Sequence, residues 1–241
     1  HFINTDSNEK GSVSCKKLIL ATGTLGSARI VLRSNKSIAS SLPILCNPYH
    51  YLTCIQPRML GKTAESRRSN FAQLSLFYDK DKTNSDVSMA SIYSYQSLML
   101  YKTIKETPLN AKDALKIMQY LVPAISIVGI HHPNSRSENR FLKLADDNDS
   151  ITGDQLLVNF RLTESEEQKI DQIESNYKRV LRKLSCYPIK TIKPGNGASI
   201  HYAGTLPFSD KNEQFHINPG GRLGGTKNIY IADGSGFKYL P

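Results

Sequence analysis

An apolar stretch that runs straight into a glycine-containing turn occurs near both ends of this chain. Near the start, Leu18–Leu20 leads into Ala21–Ser27 and then into Ala28–Ser34, a helical run in which Ile30–Leu32 are apolar. Near the end, Ile229–Ala232 leads directly into Asp233–Gly236. Short, continuously apolar stretches of this kind are typical of strands buried inside a sheet. The pattern predicts two buried strands in one α/β layer, although they lie far apart in the sequence.

The order of strand, glycine turn and helix favours a Rossmann-like layer, in which the N-terminus of the helix faces a ligand. Unpaired backbone N–H groups at that end of a helix favour anions. A strand that ends in Asp-Gly-Ser likewise places polar backbone at the carboxyl end of a sheet, where ligands bind in such folds. We therefore expect residues 1–45 and 195–241 to form one ligand-binding domain.

Residues 46–194 have a different character and are predicted to form a second domain. Alternating, tyrosine-rich segments such as Phe71–Tyr78 and Ser88–Tyr95 are typical of antiparallel strands. Helices are predicted over Asn110–Leu121 and Glu164–Leu184. The second has Thr163 and Glu166 at capping-box spacing and apolar residues at helical spacing. The expected fold class is mixed α/β, with a Rossmann-like layer formed by the two chain ends and a second domain containing an antiparallel sheet and covering helices.

The charge balance does not indicate a nucleic-acid partner. Lys and Arg outnumber Asp and Glu by 31 to 21, a formal net charge of +10. The basic residues are scattered in ones and twos, with no basic block interleaved with aromatic residues and no recognisable nucleic-acid module. Nor does any apolar run approach the roughly 20 residues that a membrane-spanning helix needs. We therefore expect neither nucleic-acid binding nor a transmembrane segment.

The spacing of cysteines and histidines does not predict a metal site. The four cysteines, at positions 15, 46, 54 and 186, have no CxxC pairing and no histidine at metal-ligand spacing. A reduced, cytoplasmic chain is the simplest interpretation. His131 and His132 stand beside Pro133 in a predicted loop, and the sequence identifies no partner for His50.

The most specific pattern is an ordered run of short motifs in the C-terminal part of the chain. It consists of His201–Thr205, Gly220–Gly225, Asn228–Ile231 and Asp233–Ser235. Each motif alone is weak, because a lone histidine or an Asp-Gly-Ser turn is common in proteins. In this order the motifs resemble the C-terminal signature of the glucose–methanol–choline (GMC) family of flavoprotein oxidoreductases. The earlier segment Ile19–Ser27 is similar to a motif of that family that passes close to the flavin.

The resemblance implies an FAD-dependent oxidoreductase that oxidises a CH–OH group of an alcohol, sugar or polyol, with an electron acceptor that the sequence does not reveal. His201 matches the catalytic histidine, which takes the hydroxyl proton while a hydride leaves the same carbon for the flavin. Such a base needs a pKa near the working pH, and imidazole is the side chain closest to that condition. The middle domain shapes the substrate pocket in this family, and here it contains no motif that identifies the substrate.

The resemblance also implies which residues lie at the FAD. Glycine turns let the backbone approach the cofactor, and the end of the last strand lies beside its ribityl and pyrophosphate groups. The implied cofactor-binding residues are Gly23, Thr24, Gly204, Thr205, Asp233 and Gly234. Asp233 is expected to accept from a ribityl hydroxyl or a backbone N–H, because a carboxylate repels phosphate. The alternative role for Asp233 is a helix N-cap.

Two elements of the family pattern have no counterpart in these 241 residues. The GxGxxG fingerprint, which supplies most of the backbone N–H groups for the pyrophosphate, is absent from the sequence. The second catalytic residue, a His or Asn beyond the Asp-Gly-Ser strand, would lie past Pro241. We therefore expect the chain to be a fragment of a longer enzyme and inactive alone. The alternative is a non-catalytic remnant or interaction module derived from such an enzyme.

Overall fold

The structure is a computed structural model that describes residues 1–35, 41–62, 72, 74–80, 82, 86–94, 108–147 and 150–240. Within these ranges the α-helices are α1 (Gly23–Ser34), α2 (Ala111–Leu121) and α3 (Glu164–Lys183). The strands are β1 (Phe2–Ile3), β2 (Lys10–Gly11), β3 (Leu18–Leu20), β4 (Leu42–Pro43), β5 (Leu45–Cys46), β6 (Tyr49–Ile55), β7 (Leu74–Tyr78), β8 (Ser88–Ser94), β9 (Ile125–His131), β10 (Arg140–Asp146), β11 (Asp154–Phe160), β12 (Tyr187–Ile192), β13 (Tyr202–Ala203) and β14 (Ile229–Ile231).

The chain divides into two compact units that alternate along the sequence. The first unit comprises His1–Asn47, Asn134–Leu162 and Ile200–Leu240, and the second comprises Pro48–Pro133 and Thr163–Ser199. The segment of residues 134–162, placed by sequence pattern in the middle domain, therefore groups with the two chain ends. The reason is that β10 pairs with β4, so this segment extends a sheet of the first unit.

In the first unit, the two ends of the chain lie together. β14 pairs with β3 in parallel, with Ile229 opposite Leu18 and Ile231 opposite Leu20. The other sheets of this unit are antiparallel: β11-β10-β4, β13-β5 and the hairpin β1-β2. The coarse prediction of a mixed α/β fold with an antiparallel sheet is confirmed. A Rossmann-like layer is not shown, because the parallel sheet has two strands within the described part of the chain.

The first glycine turn differs from the prediction in two details. α1 begins at Gly23 and not at Ala28, so most of the expected turn is the beginning of the helix. Gly23 has a left-handed backbone, with a φ of +76°, and the residues after it are helical. The strand before it is less buried than expected, because Leu18 is 41% and Ile19 is 64% exposed and Leu20 alone is buried. A sheet of two strands buries less of each strand than the interior of a larger sheet does.

The core of the first unit is built from α1, β3, β4, β10 and β14, together with loops of the C-terminal segment. Its buried apolar residues are Leu20, Ala28, Val31, Leu32, Leu42, Ile44, Leu142, Leu206, Ile217, Leu223 and Ile231. Burial of one face of α1 against the strands holds the helix in place. The N-terminus of α1 is thereby positioned beside the C-terminal segment.

The second unit is a five-stranded antiparallel sheet in the order β12-β6-β9-β8-β7, with α3 packed against it. Alternate residues of a strand point to the same face of a sheet. The buried residues between the sheet and α3 are Leu52, Cys54, Ala90, Val128, Ile130, Ile173, Tyr177, Leu181 and Cys186. Three residues of the predicted strands, Phe71, Gln73 and Tyr95, lie outside the described residues.

The two helices predicted for the middle of the chain form within one residue of their expected bounds. The Asn110 side chain caps α2 by accepting from the Asp113 N–H at 2.9 Å. At the start of α3 the Thr163 hydroxyl accepts from the Glu166 N–H, and the Glu166 carboxylate accepts from the Thr163 N–H at 2.8 Å. This is the reciprocal capping box that the sequence predicts.

The C-terminus of α3 is closed by a Schellman motif. The N–H of Ser185 donates to the Arg182 carbonyl at 3.0 Å, and the N–H of Cys186 donates to the Leu181 carbonyl at 2.9 Å. In this motif the residue just past the helix has a left-handed backbone and is usually glycine. Ser185 occupies that position with a φ of +58°. The helix end therefore carries a steric cost that a Cβ imposes in this conformation.

We expect Ser185→Gly to raise the free energy of unfolding by about 0.5–1 kcal/mol, because glycine adopts the left-handed backbone without that cost. Urea unfolding of the purified protein measures the change. As a control, Arg179→Gly, at an exposed position of α3 one turn before its end, should lower the free energy of unfolding by about 1 kcal/mol. A Ser185→Gly variant that loses as much stability as Arg179→Gly would contradict the assignment of strain to position 185.

Candidate functional site

The cofactor-binding residues predicted at the two chain ends meet in one place of the first unit. The hydroxyl of Thr24, at the start of α1, donates to the Tyr202 carbonyl of β13 at 2.8 Å. The hydroxyl of Thr205 donates to the Thr24 carbonyl at 3.4 Å, and the Gly204 N–H donates to the Gly234 carbonyl at 3.0 Å. We call this meeting point of the start of α1, the turn after β13 and the turn after β14 the α1 site.

Two threonines of the α1 site hold these segments together. Thr24 is 8% exposed and Thr205 is fully buried. Both hydroxyls already donate within the protein, to the carbonyls of Tyr202 and Thr24 respectively. Their side chains therefore set the positions of the surrounding backbone.

Asp233 forms the third link of the α1 site. Its Oδ2 accepts from the Ser27 hydroxyl of α1 at 2.5 Å, and its Oδ1 accepts from the Ser235 N–H at 2.9 Å. The second bond caps the short 3-10 helix Gly234–Gly236, so the alternative role of Asp233 as an N-cap is the one observed. The Ser27 hydroxyl also lies 3.0 Å from Thr22 Oγ1. Asp233 thus ties the end of β14 to α1.

The glycines of the α1 site have different reasons to be glycine. Gly204 has a φ of +73°, and a Cβ built there would lie 2.7 Å from the Leu45 side chain and 2.9 Å from the Phe237 carbonyl oxygen. A Cβ at Gly234 would lie 3.1 Å from Thr24 Oγ1. A Cβ at Gly23 would have no atom within 4 Å. Packing within the protein therefore requires glycine at position 204. At position 23 the left-handed backbone favours glycine, and the space beside it is open.

The N-terminus of α1 has the properties of an anion-binding end. Thr22 stands at the N-cap but makes no side-chain cap hydrogen bond, and the first turn contains no acidic residue. Residues 21–23 are exposed. The first N–H groups of a helix have no partner within the helix, and the helix dipole favours negative charge there. This end of α1 can therefore donate backbone hydrogen bonds to a phosphate group.

Ser235 adds an unsatisfied polar atom to the α1 site. The residue is fully buried, and its Oγ has no hydrogen-bond partner among the described residues. Buried hydroxyls without a partner are uncommon in proteins and often indicate a missing water, ion or ligand. The uncapped start of α1, the open space at Gly23 and this hydroxyl together fit a phosphate-bearing, hydroxyl-rich cofactor such as FAD.

His201, the predicted catalytic residue, lies at the edge of the α1 site. It is exposed, and it directly precedes Tyr202, whose carbonyl accepts from Thr24. The residue before it, Ile200, is 77% exposed and has a φ of +62°. A left-handed backbone at a β-branched residue is a steric outlier, and such strain is concentrated at functional sites. The backbone therefore presents the His201 imidazole to solvent from a strained turn.

A buried polar cluster in the second unit was not found from the sequence. Glu174 of α3 is 5% exposed, and its carboxylate accepts from His50 at 3.1 Å, from Lys178 at 2.5 Å and from the Thr191 hydroxyl at 3.0 Å. We call these four residues the Glu174 cluster. Burial alone would raise the pKa of Glu174, but the three hydrogen bonds outweigh it and lower the pKa to about 2. The sequence identified no partner for His50, and the structure shows that its partner is Glu174.

The paired histidines also differ from the prediction. His131 ends strand β9 and is not in a loop, and His132 is fully buried. The His132 ring meets the His50 ring edge-on, with 5.1 Å between the ring centres. Burial lowers the pKa of His132 to about 3, so the ring is neutral at pH 7. The alternating apolar pattern of β9 is the sequence signal that could have placed these histidines.

Neither a metal centre nor a membrane span stands out in the described ranges. No group of three or more His, Cys, Asp or Glu side chains there is arranged to hold a metal ion. No helix among the described residues is both long and apolar enough to cross a bilayer.

Comparison with known proteins gives no family assignment. No protein-family model matches the chain, and no curated protein sequence matches it. The functional assignment therefore depends on the geometry of the α1 site and on the motifs that form it.

Proposed function

We propose that this chain is part of an FAD-dependent oxidoreductase that resembles the GMC family and oxidises the CH–OH group of an alcohol, sugar or polyol. The observation that carries the proposal is the α1 site. Thr24 belongs to the motif Ile19–Ser27 and Tyr202 to the motif His201–Thr205. The two residues lie 178 positions apart in sequence and are joined by a hydrogen bond. Contact between the two motifs supports a common ligand for both.

The residues of the α1 site support FAD as that ligand, bound to a Rossmann-like layer around β3 and β14. FAD, when bound, would supply the hydride acceptor. The exposed backbone N–H groups at the start of α1 would donate to phosphate oxygens, and Gly23 leaves room for their approach. Each carboxylate oxygen of Asp233 has one protein donor and retains a second lone pair, which could accept from a ribityl hydroxyl.

His201 would act as the base for the substrate hydroxyl. Its exposed imidazole can contact a substrate directly and accept the hydroxyl proton at a ring nitrogen. Proton removal favours hydride loss from the same carbon, because electron density on the oxygen supports formation of the carbonyl. The strained backbone at Ile200 supports a functional reason for the position of His201.

A non-catalytic module derived from such an enzyme is the second candidate. It is favoured by the absence of a GxGxxG fingerprint from the 241 residues, because that loop supplies most of the phosphate-binding N–H groups. The two candidates differ in one observable property. Only the enzyme reduces its flavin when a CH–OH donor is added.

Titration with FAD under anaerobic conditions tests the proposal in a protein that joins this chain to a GxGxxG segment and a second catalytic residue. Primary alcohols, polyols and aldoses are then added at saturating FAD, and absorbance near the flavin maximum reports reduction. Bleaching that depends on a CH–OH donor supports the enzyme. Flavin that binds at the α1 site but is not reduced by any of these donors supports the non-catalytic module.

We expect the chain alone to bind FAD weakly and Asp233→Ala to weaken the binding further, by about tenfold or more. The reason is that the variant loses two hydrogen bonds to a charged acceptor, one from Ser27 that joins α1 to the turn after β14 and one from the Ser235 N–H that caps this turn. Quenching of flavin fluorescence gives both dissociation constants. Asp210→Ala, which changes an exposed acidic residue of the first unit, should bind FAD as the parent does. Equal affinities of Asp233→Ala and the parent would exclude the α1 site as the cofactor site.

A further inference from the structure

We propose that Cys54 and Cys186 form a reversible disulfide in the second unit, by exchange with a small disulfide such as glutathione disulfide. Both thiols lie in the buried layer between the sheet and α3, where Cys54 is 0% and Cys186 is 3% exposed. The Cys54 thiol donates to the Leu52 carbonyl of its own strand at 3.9 Å. The Ser126 hydroxyl lies 3.5 Å from the Cys186 sulfur. The pair belongs to the second unit and has no part in the proposed chemistry of the α1 site.

Strand register explains why these groups meet. Cys54 of β6 lies opposite Ser126 of β9 on one side and opposite Pro188 of β12 on the other. Cys186 therefore stands two residues before the partner of Cys54, which makes the cysteines diagonal neighbours. Diagonal neighbours have Cα atoms about 7–8 Å apart, whereas a disulfide spans less than about 7 Å. Closing the bond therefore requires a small inward shift at the start of β12.

The start of β12 is suited to such a shift and to the entry of a small reagent. β12 is the end strand in the sheet order, and its register with β6 is irregular between Pro188 and Lys190. Cys186 also follows directly after Ser185, whose backbone is left-handed. Strands with fewer regular hydrogen bonds open locally at lower free energy than the centre of a sheet. Cys186 is therefore the thiol that a reagent reaches first.

The surroundings also make Cys186 the better nucleophile. The neighbouring Cys54 thiol and the Ser126 hydroxyl, 3.5 Å from the Cys186 sulfur, stabilise negative charge on that sulfur and lower the pKa of Cys186, whereas the pKa of Cys54 is raised. Reactivity of a cysteine follows its thiolate form. Cys186 is thus the attacking thiol and Cys54 the resolving thiol.

The exchange proceeds in two balanced steps. The Cys186 thiolate attacks one sulfur of glutathione disulfide, that S–S bond breaks, and the first glutathione leaves with the proton lost by Cys186. The Cys54 sulfur then attacks the Cys186 sulfur, and the second glutathione leaves with the proton lost by Cys54. Two protein thiols are oxidised to one disulfide, and one glutathione disulfide is reduced to two glutathione thiols.

Thiol mapping of the folded protein tests the proposal. A Cys15→Ser background removes the exposed cysteine and leaves Cys46, Cys54 and Cys186. This protein is incubated with glutathione disulfide, quenched in acid, alkylated with N-ethylmaleimide under denaturing conditions and digested. We expect mass spectrometry to find the Cys54 and Cys186 peptides joined, which leaves one of the three thiols free to react with maleimide. Treatment with dithiothreitol should restore the thiols of Cys54 and Cys186.

Single variants in the same background separate the two steps. Cys54→Ser should accumulate one glutathione on Cys186, because no resolving thiol is left, and Cys186→Ser should leave Cys54 unmodified. Cys46→Ser, which removes a buried thiol of the first unit, should leave the joined peptides unchanged. The proposal is overturned if Cys54 and Cys186 are both recovered as maleimide adducts, or if Cys186 keeps its glutathione while Cys54 is present.

Discussion

In an enzyme that joins this chain to a GxGxxG segment and a second catalytic residue, replacing His201 by Ala is expected to slow the reduction of bound flavin by about 100- to 10,000-fold, which is the usual contribution of a general base. This loss corresponds to roughly 3–5 kcal/mol of activation free energy. The variant lacks the imidazole that takes the substrate hydroxyl proton, so the hydride step must proceed without a positioned base. His201 is exposed, and its removal leaves the hydrogen bonds of Thr24, Gly204 and Asp233 within the α1 site unchanged. Flavin affinity should therefore stay close to that of the parent.

Stopped-flow absorbance at saturating FAD measures this step, because bleaching of the flavin by substrate reports hydride transfer alone. His216→Ala provides the matched control. His216 also lies in the first unit and is partly exposed, and its Nδ1 is 3.0 Å from the Gln214 carbonyl oxygen. Its replacement should change the rate by less than a few-fold. If His201→Ala bleaches its flavin at the parent rate, His201 is not the base.

Replacing Glu174 by Gln is expected to lower the free energy of unfolding at pH 7 by about 2–3 kcal/mol. The substitution keeps the shape of the side chain but removes the charge that accepts hydrogen bonds from His50, Lys178 and Thr191. Hydrogen bonds to a charged group contribute more than neutral ones, and Glu174 is only 5% exposed, so water cannot replace the lost partners. Urea unfolding at pH 7 measures the difference.

Asp171→Asn on the same helix is the matched control. Asp171 also accepts from a lysine, Lys193 at 2.7 Å, but these side chains are 62% and 53% exposed. Exposed ion pairs contribute about 0–1 kcal/mol, so this variant should lose at most that much stability. A loss equal to that of Glu174→Gln would show that burial of the Glu174 cluster has no special effect.

The difference in the free energy of unfolding between the parent and Glu174→Gln depends on pH. The pKa of Glu174 is lowered to about 2 in the folded protein, below its ordinary value. Its contribution to stability is therefore fully present above about pH 4.5 and is lost as the pH falls towards 2. The difference between the parent and Glu174→Gln should shrink over that range. Burial lowers the pKa of His132 and the Glu174 charge partly offsets this shift, so the substitution also alters the acid titration of His132.

Local patterns were sufficient to predict the long helices and four of the strands, β3, β7, β8 and β14. α3 follows from Thr163 and Glu166 at capping-box spacing and from an apolar repeat, because these interactions join residues three or four apart in sequence. The apolar runs at Leu18–Leu20 and Ile229–Ile231 are likewise local signals, and they do become paired strands. The order of motifs is also a property of the sequence, and it named Thr24, Thr205 and Asp233 of the α1 site but not Ser27, which holds Asp233.

The tertiary structure alone decided how those residues are used. The partner of Asp233 is Ser27, 206 residues away, and the partner of Glu174 is His50, 124 residues away. No local pattern encodes such pairs, because strand register and the packing of helices on sheets determine which distant side chains meet. The exposure of Ile19 depends in the same way on how many strands join its sheet. Neighbours in sequence therefore determined the elements of this protein, and the hydrogen bonds and burial that define its candidate site arose only when distant elements packed together.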